Sequence, residues 1–234
     1  HRVGYVNWGY EAIGRFDSWE QIANYPVDND RKGNRTVVPG DIMYKDQNND
    51  GVINYLDERP IGYRVDSTPT LNFGINLSAS WKGFDLAMDW TGSRMTSWNQ
   101  CYETARPFQN DGNSPDEVLK DAWHLSDIWD ANSPLIPGKY PMVRLNTDET
   151  SAYDKSSYWL HNVTYLKLRN LEVGYTFPKT WLNRTGISNL RLFVSGTNLL
   201  TLSNLSVMDP ECASDNGLDY PPMRVINIGV NLKF

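Results

Sequence analysis

Cysteine is nearly absent from this sequence. Two thiols in 234 residues, Cys101 and Cys212, cannot build the disulfide framework of a small secreted scaffold, and their spacing matches no metal motif. They read as two unpaired loop thiols or as a single loop-to-loop disulfide. Histidine is almost as scarce. His1, His124 and His161 are scattered, no Gly-x-Ser-x-Gly occurs, and neither cysteine has a histidine beside it, so no catalytic constellation is legible and no enzyme is expected. Basic excess is lacking too: 22 Lys+Arg stand against 28 Asp+Glu, a net charge of −6. That balance excludes a partner bound mainly through its phosphates, so nucleic acid is not expected. No run approaches the roughly 18 apolar residues of a spanning helix. The start, His1-Arg2-Val3, carries neither an initiator methionine nor the charged and apolar regions of a signal peptide, so the chain reads as a processed product or a piece of something longer.

A mean hydropathy of −0.54 suits a water-soluble domain, but average hydropathy is blind to transmembrane β-barrels, whose strands alternate lipid-facing and lumen-facing residues. The discriminating pattern is therefore period two, and it is present. Leu71, Phe73, Ile75, Leu77, Ala79 and Trp81 alternate with Asn72, Gly74, Asn76, Ser78 and Ser80. After Lys82-Gly83 the alternation resumes as Phe84, Leu86, Met88 and Trp90 against Asp85, Ala87, Asp89 and Thr91, which predicts a hairpin with one apolar and one polar face. Each arm is about 11 residues, the length of a tilted membrane-crossing strand and about twice that of a strand in an ordinary sheet. Trp81 and Phe84 sit at the turn, where an aromatic girdle would lie.

Three more segments read alike. Ile226, Ile228, Val230, Leu232 and Phe234 alternate with Asn227, Gly229, Asn231 and Lys233; Leu190, Leu192 and Val194 alternate with Arg191, Phe193 and Ser195. Between Tyr165 and Phe177 the parity switches near Arg169-Asn170. Either a β-bulge there restores a single apolar face, or the outer part of the strand has left the lipid. The connections alternate between short (82–83; 178–189, with a helical turn at 179–183) and long (before 71, 95–163 and 203–222), the arrangement of a barrel with short periplasmic turns and long extracellular loops. Ser18-Trp19-Glu20-Gln21 and Ser114-Pro115-Asp116-Glu117 predict two short loop helices through capping boxes, the second with proline at its first position. The expected organisation is an extracellular loop region over 1–70, a transmembrane hairpin over 71–94, a long extracellular loop over 95–163 and three barrel strands over 164–234 with a loop at 203–222.

About five strands spaced 4.8 Å apart give a sheet roughly 24 Å wide, too narrow to close around a lumen, and lipid does not tolerate unpaired strand edges. The chain should therefore be the C-terminal piece of a larger barrel, or pair with another chain that supplies the missing strands. Gly40-Asp41-Ile42-Met43-Tyr44-Lys45-Asp46 with Asp50-Gly51-Val52-Ile53 and Ile61-Gly62 comes first, then Trp81-Lys82-Gly83-Phe84-Asp85-Leu86. Tyr165-Leu166-Lys167-Leu168-Arg169-Asn170-Leu171 runs on to Gly174-Tyr175-Thr176-Phe177-Pro178, followed by Gly196-Thr197-Asn198-Leu199, Asp209-Pro210-Glu211, Tyr220-Pro221 and a terminal Phe234. In this order the motifs resemble the C-terminal part of SusC/RagA-type TonB-dependent outer-membrane transporters of Bacteroidetes. The resemblance implies an all-β piece of a plugged barrel of about 22 strands, an importer of oligosaccharides or peptides. It also implies a SusD-like surface lipoprotein as partner, the rest of the barrel and plug, the lipid bilayer, and TonB acting through N-terminal parts that lie outside this chain. Phe234 would complete an assembly signal at the periplasmic end.

Asp46-Gln47-Asn48-Asn49-Asp50-Gly51-Val52-Ile53-Asn54-Tyr55-Leu56-Asp57 follows an EF-hand loop at its first, third, fifth and sixth positions. The donors would be oxygens of Asp46, Asn48, Asp50, the Val52 carbonyl, Asn54 and Asp57, suited to Ca²⁺ or Mg²⁺ in a structural role. Asp57 replaces the usual glutamate, which weakens the site, and Pro39-Gly40 remove the entering helix. The competing reading is a loop ordered by its own Asx turns. No organic cofactor is expected. Among the loop aromatics, which include Trp8, Tyr10 and Tyr140, the residues Trp98, Tyr102, Trp123, Trp129 and Trp159 are candidates for stacking on sugars or anchoring the lipoprotein; the alternative is that they form small loop cores. Asn72, Asn76, Asp85, Asp89, Arg169 and Glu172 form the expected lumen-facing set. A reading of another class is a soluble, calcium-stabilised, β-rich carbohydrate-binding module, in which the apolar stripes would be covered by a second sheet of similar size.

Overall fold

The period-two segments fold into one sheet. In the computed structural model, which describes residues 6–63, 69–145, 149–183, 186–211, 214 and 216–234, the chain divides into two units, His1–Thr68 with Thr96–Asn162 and Ala213–Asp219, and Pro69–Met95 with Val163–Cys212 and Tyr220–Phe234.

The first unit carries short strand pairs. β1 (Asn7–Gly9) and β2 (Ala12–Arg15) precede helix α1 (Trp19–Ala23), and β3 (Ile42–Tyr44) and β4 (Arg59–Gly62) follow it; β1 pairs with β4 and β2 with β3. Ser18 caps α1 by accepting from the Gln21 N–H, while the Gln21 side chain accepts from Asp17 N at 2.7 Å, one residue before the position that a capping box would use. The unit's core is aromatic. Trp159 stacks with Tyr153 at 5.6 Å and Tyr140 at 6.1 Å, Tyr158 meets it edge-on at 4.8 Å, and Tyr10 and Tyr44 lie 5.3 Å apart. Ile42, Ile53, Ala105, Val118, Ala122 and Ala152 complete this cluster.

The second unit is built on β5 (Leu71–Trp81) and β6 (Phe84–Asn99). After the loop elements α2 (Asp116–Lys120), β7 (His124–Leu125) and β8 (Leu135–Ile136) of the first unit come β9 (Leu160–Thr176), α3 (Lys179–Leu182), β10 (Asn189–Ser203) and β11 (Val225–Lys233). The five long strands form one antiparallel sheet in the order β11-β10-β9-β6-β5. The β5–β6 register runs unbroken from Leu71 opposite Arg94 to Trp81 opposite Phe84. Its two-residue turn places Lys82 at φ 49° and Gly83 at φ 91°, the left-handed pair that a tight hairpin requires.

The strands outrun their sequence signal. β6 continues to Asn99 and β9 begins at Leu160, inside the stretch expected to be loop, because Thr96, Ser97 and Trp98 are all buried and a strand covered on both faces loses alternation. The parity switch in β9 is real. Adjacent residues Arg169 and Asn170 both reach the polar row of β6, at Thr91 (3.1 Å) and Asp89 (3.2 Å). The register shift at this level lies in β10, between Thr197 and Leu200 opposite Arg169, with Asn198 at φ 54°. The second capping box does not form: Pro115, extended at ψ 136°, takes the cap position without a side-chain bond, and the buried Ser114 hydroxyl has no hydrogen-bond partner. The helix therefore starts one residue late, at Asp116.

Among the described residues every other sheet has two strands, so nothing of comparable size covers the long one, as the binding-module reading requires. The apolar residues of β5 and β11 are exposed, and both are edge strands without an outer neighbour among the described residues. Among the described residues no helix is long and apolar enough to cross a membrane.

Candidate functional site

The polar face of the long sheet gathers the charged residues. Asn72, Gly74, Asn76, Ser78 and Ser80 of β5 pair with Ser93, Thr91, Asp89, Ala87 and Asp85 of β6, which places Asn72, Asn76, Asp85 and Asp89 in one row. From β10, Arg191 reaches across to the Asp85 carboxylate (Nε to Oδ1 3.1 Å) and to Glu172 (2.6 Å). Further along β9, Lys167 donates to Asp209 at 2.8 and 3.0 Å and to Glu211 at 2.9 Å, and Arg169 pairs with the same Glu211. Two cations thus meet two carboxylates, and the Lys167 side chain is only 1% exposed. A buried ammonium persists only when it is paired and hydrogen-bonded, so the Asp209-Pro210-Glu211 segment is fastened to this face. Beside it lies a pocket of about 420 Å³ lined by Asn72, Thr91, Ser93, Tyr165, Arg169 and Glu211. Sequence reading found Asp85, Arg169 and Glu172 by parity; it missed Lys167 and Arg191 as ion-pair centres, although both fall on the polar parity of their strands.

Aromatic rings mark the short-turn end. Phe84 and Tyr175 lie 4.6 Å apart, Tyr175 and Phe177 5.0 Å, and Phe177 and Trp181 6.0 Å, while the Lys82 ammonium sits 4.8 Å from the Trp81 ring centre. Rings with one apolar and one wet side suit a membrane–water boundary.

In the EF-hand-like loop, one carboxylate oxygen from each of Asp46, Asp50 and Asp57 lies within 4.8 Å of the other two. Backbone N–H groups shape the turn: Asp46 accepts from Asn49 and Gly51, Asn48 from Asp50, and Asp50 from Val52. Gly51, at φ 83°, supplies the left-handed residue the turn needs. The Val52 N–H bond and the Asn48 amide hold the Asp50 carboxyl below its ordinary range. Asp57 is fully buried and accepts from Gln47 N and Asn54 N, while the Asn54 amide points to the Val52 carbonyl at 3.1 Å. The donor set is all oxygen and fits a hard divalent cation, and the same hydrogen bonds also realise the Asx-turn alternative.

Of the five aromatic candidates, three are core. Trp159 (1% exposed) and Trp123 (6%) are buried, and Trp98 (3%) stacks on His161 at 5.7 Å and donates to Ser214 O at 3.1 Å. Only Tyr102 (52%) and Trp129 (91%) present themselves to solvent. The sequence could not separate these sets, because a Trp that packs a loop and a Trp that awaits a partner both sit outside the alternating pattern. Cys212 lies outside the described residues, and with it the pairing of Cys101 and Cys212.

Two buried carboxylates order the loops around β3. Burial pushes Asp30 up, but the Thr36 hydroxyl and the N–H groups of Thr36, Lys32 and Asn34 outweigh it and bring it down to about 2. Asp41 goes the other way. Its burial dominates the opposing Arg144 guanidinium, with which it pairs, and lifts it to about 6.

No protein-family profile matches the chain. The TonB-dependent receptor P3 of Formosa agariphila is 30% identical over 96% of this chain and 22% of its own length. SusC, a TonB-dependent receptor of Bacteroides thetaiotaomicron, is 24% identical over the whole chain and 20% of its own length. The chain thus spans about a fifth of the curated relatives it matches. Among solved structures, the RagAB peptide transporter aligns with a TM-score of 0.60 at 21% identity over 98% of this chain and 22% of that one, and the RagAB importer in its closed-closed state gives 0.61 at 20% identity, covering 98% and 23%.

Proposed function

Because the chain is a segment of a TonB-dependent receptor of the SusC/RagA type, we propose that it forms part of the wall and surface loops of an outer-membrane importer for oligosaccharides or peptides. The observation that carries this reading is the long sheet itself: five strands with a bare apolar face, a polar face crossed by ion pairs, aromatic rings at one end and two edges without an outer neighbour among the described residues, which further strands would complete. TonB-dependent receptors and SusC are outer-membrane proteins. In this proposal the short turns lie on the periplasmic side and the long loops on the cell surface. Asn72, Asn76, Asp85, Asp89, Arg169 and Glu172 face the lumen, toward plug or cargo, and Phe234 completes the assembly signal. A SusD-like lipoprotein meets the surface loops, and TonB acts through parts of the receptor beyond this chain. The solved neighbours are peptide importers, which supports peptides as one of the two cargo classes. We further propose that Asp46, Asn48, Asp50, Val52, Asn54 and Asp57 hold Ca²⁺ or Mg²⁺ and stiffen a surface loop, with no step of transport passing through the metal.

The test uses the full-length receptor in cells. Uptake of labelled oligopeptides and labelled oligosaccharides is followed with the receptor gene intact, with it deleted, and with the inner-membrane proton gradient collapsed. Loss of uptake of one class in both impaired conditions supports the importer; uptake of both classes that survives deletion refutes it.

A further inference from the structure

The short-turn end of the long sheet is closely built. Thr176 N donates to Gly83 O at 2.7 Å, and a Cβ on Gly83 would sit 2.7 Å from Thr176 O and 3.1 Å from the Tyr175 ring. The β5–β6 turn therefore rests on the end of β9. Phe177 N donates to Leu190 O at 2.9 Å and Trp181 N to Pro178 O at 3.0 Å, and Leu182 is buried while Trp181 is exposed. These bonds bring two lysines to one end: Lys82 in the turn, and Lys179 in α3, three residues beyond Thr176.

The rings at this end belong to the outward face. Trp81, Phe84, Tyr175 and Phe177 fall on the apolar parity of their strands, opposite to Asp85 and Glu172, which Arg191 holds on the polar face. β6 and β9 lie inside the sheet with a strand on either side, so the surface that Phe84 and Tyr175 build is not an edge that further strands would complete. Charge here is of one sign. Residues 81–84 and 173–189 carry Lys82, Lys179 and Arg184, the last outside the described residues, and no Asp or Glu. The long connection 203–222 is the reverse, with Asp209, Glu211, Asp215 and Asp219 and no Lys or Arg.

A row of rings at the end of an apolar face suits the boundary between acyl chains and headgroups, and cations set beside it call for an anion. The Lys82 ammonium lies over the Trp81 ring at 4.8 Å, which keeps its N–H donors on the side away from the ring for an oxyanion. A protein partner is the weaker occupant, because the interior strands have no free backbone edge here on which an extended segment could pair.

We propose that Lys82 and Lys179, with Trp81 and Trp181 beside them, hold the anionic headgroup of a glycerophospholipid in the membrane leaflet at the short-turn end. This rests on the importer reading above, in which the apolar face meets lipid.

Native mass spectrometry of the full-length receptor, released from detergent after exchange with equal amounts of phosphatidylglycerol and phosphatidylcholine, gives the test. The wild type should retain phosphatidylglycerol about 25-fold over phosphatidylcholine, the product of about fivefold for each lysine near a membrane surface. Lys82→Asn, which suits a left-handed turn position, combined with Lys179→Gln should retain the two lipids about equally. Lys233→Gln, at the same end but on the polar parity of β11, should keep the wild-type preference. Slower migration after boiling on a denaturing gel checks that each variant has formed the barrel. An unchanged preference in the double variant, or an equal loss in Lys233→Gln, would overturn the headgroup site while leaving the importer standing. Retention of free glycerol phosphate as strongly as the lipid would overturn the membrane as the source of the phosphate. A wild type that retains neither lipid would overturn the headgroup site together with the claim that the apolar face meets lipid.

Discussion

Phe73 lies across Gly92, its paired neighbour in the β5–β6 hairpin, so closely that a Cβ on Gly92 would sit 2.3 Å from the ring. Phe193 and Gly229 repeat the relationship across β10–β11. An aromatic ring laid over a strand glycine supplies the packing the glycine cannot. Gly92→Ala should push the ring off its neighbour and cost about 1 kcal/mol, and Phe73→Ala should cost a similar amount. The double variant should cost clearly less than the sum of the two, because both changes destroy one contact. Urea unfolding of the full-length barrel in detergent measures all three, and simple additivity would show that the ring and the glycine are independent.

The Lys167 cluster makes a sharper demand. Lys167→Met takes the ammonium from Asp209 and leaves Glu211 paired with the Arg169 guanidinium, and breaking a buried ion pair from one side costs about 3 kcal/mol. The expected outcome is release of the 203–222 loop, read as new cleavage within it by a protease added to the folded receptor. Lys167→Arg, which keeps the charge, should protect the loop substantially. Unchanged cleavage in Lys167→Met would remove this cluster as the fastening.

Asp30 and Asp41 should act in opposite directions with pH. Asp30 falls from an ordinary 3.8 to about 2, so its contribution to stability is complete above 3.8 and is lost as pH falls through about 2. Asp41 rises from 3.8 to about 6, so its contribution is complete below 3.8 and is lost as pH rises through about 6. Amide exchange at Tyr44 and Val38, corrected for its intrinsic pH dependence, should lose its slope between pH 4 and 6 in Asp41→Asn. In Asp30→Asn it should lose the slope below pH 4. A slope unchanged by Asp41→Asn would show that the burial of Asp41 is not what the pH dependence reports, and one unchanged by Asp30→Asn would say the same of the hydrogen bonds that Asp30 accepts.

Tyr55 sits inside the EF-hand-like loop and is well exposed, which makes it a ready donor of excitation to a bound lanthanide. Terbium added to the full-length receptor should give sensitised emission that Ca²⁺ displaces and that Asp46→Asn with Asp50→Asn abolishes. At a Ca²⁺ concentration about 100 times Kd the loop should gain about 2.7 kcal/mol. Emission that survives the double substitution would place the ion elsewhere, and its absence in the wild type would leave the Asx-turn reading.

The long strands were legible because a sheet with one apolar and one polar face writes its geometry as period two. Leu71 to Trp81 and Ile226 to Phe234 needed no other information. Legibility stopped where both faces are covered: Thr96, Ser97 and Trp98 continue β6 with no alternation to announce it. Ser114 failed as a cap because a capping box is a local pattern, and Pro115 settled into the extended cap position instead. The ion-pair centre at Lys167 joins residues more than forty positions apart, so parity could place its side chain on the polar face but not supply Asp209 and Glu211. Among the loop tryptophans, Trp129 and Trp159 have the same chemistry and opposite exposure, a difference set by tertiary packing alone.

The central claim is that the apolar face of the long sheet meets lipid while its polar face lines the inside of a barrel. It is tested most directly by spin labels placed singly at 72–77 on β5 and 226–231 on β11 of the full-length receptor in bilayers. Collision rates with oxygen, which partitions into lipid, are compared with those of a water-soluble nickel chelate. The account predicts strict period-two alternation, with 73, 75, 77, 226, 228 and 230 oxygen-accessible and the intervening positions shielded from lipid. Uniform access of the nickel chelate to both sets would contradict it.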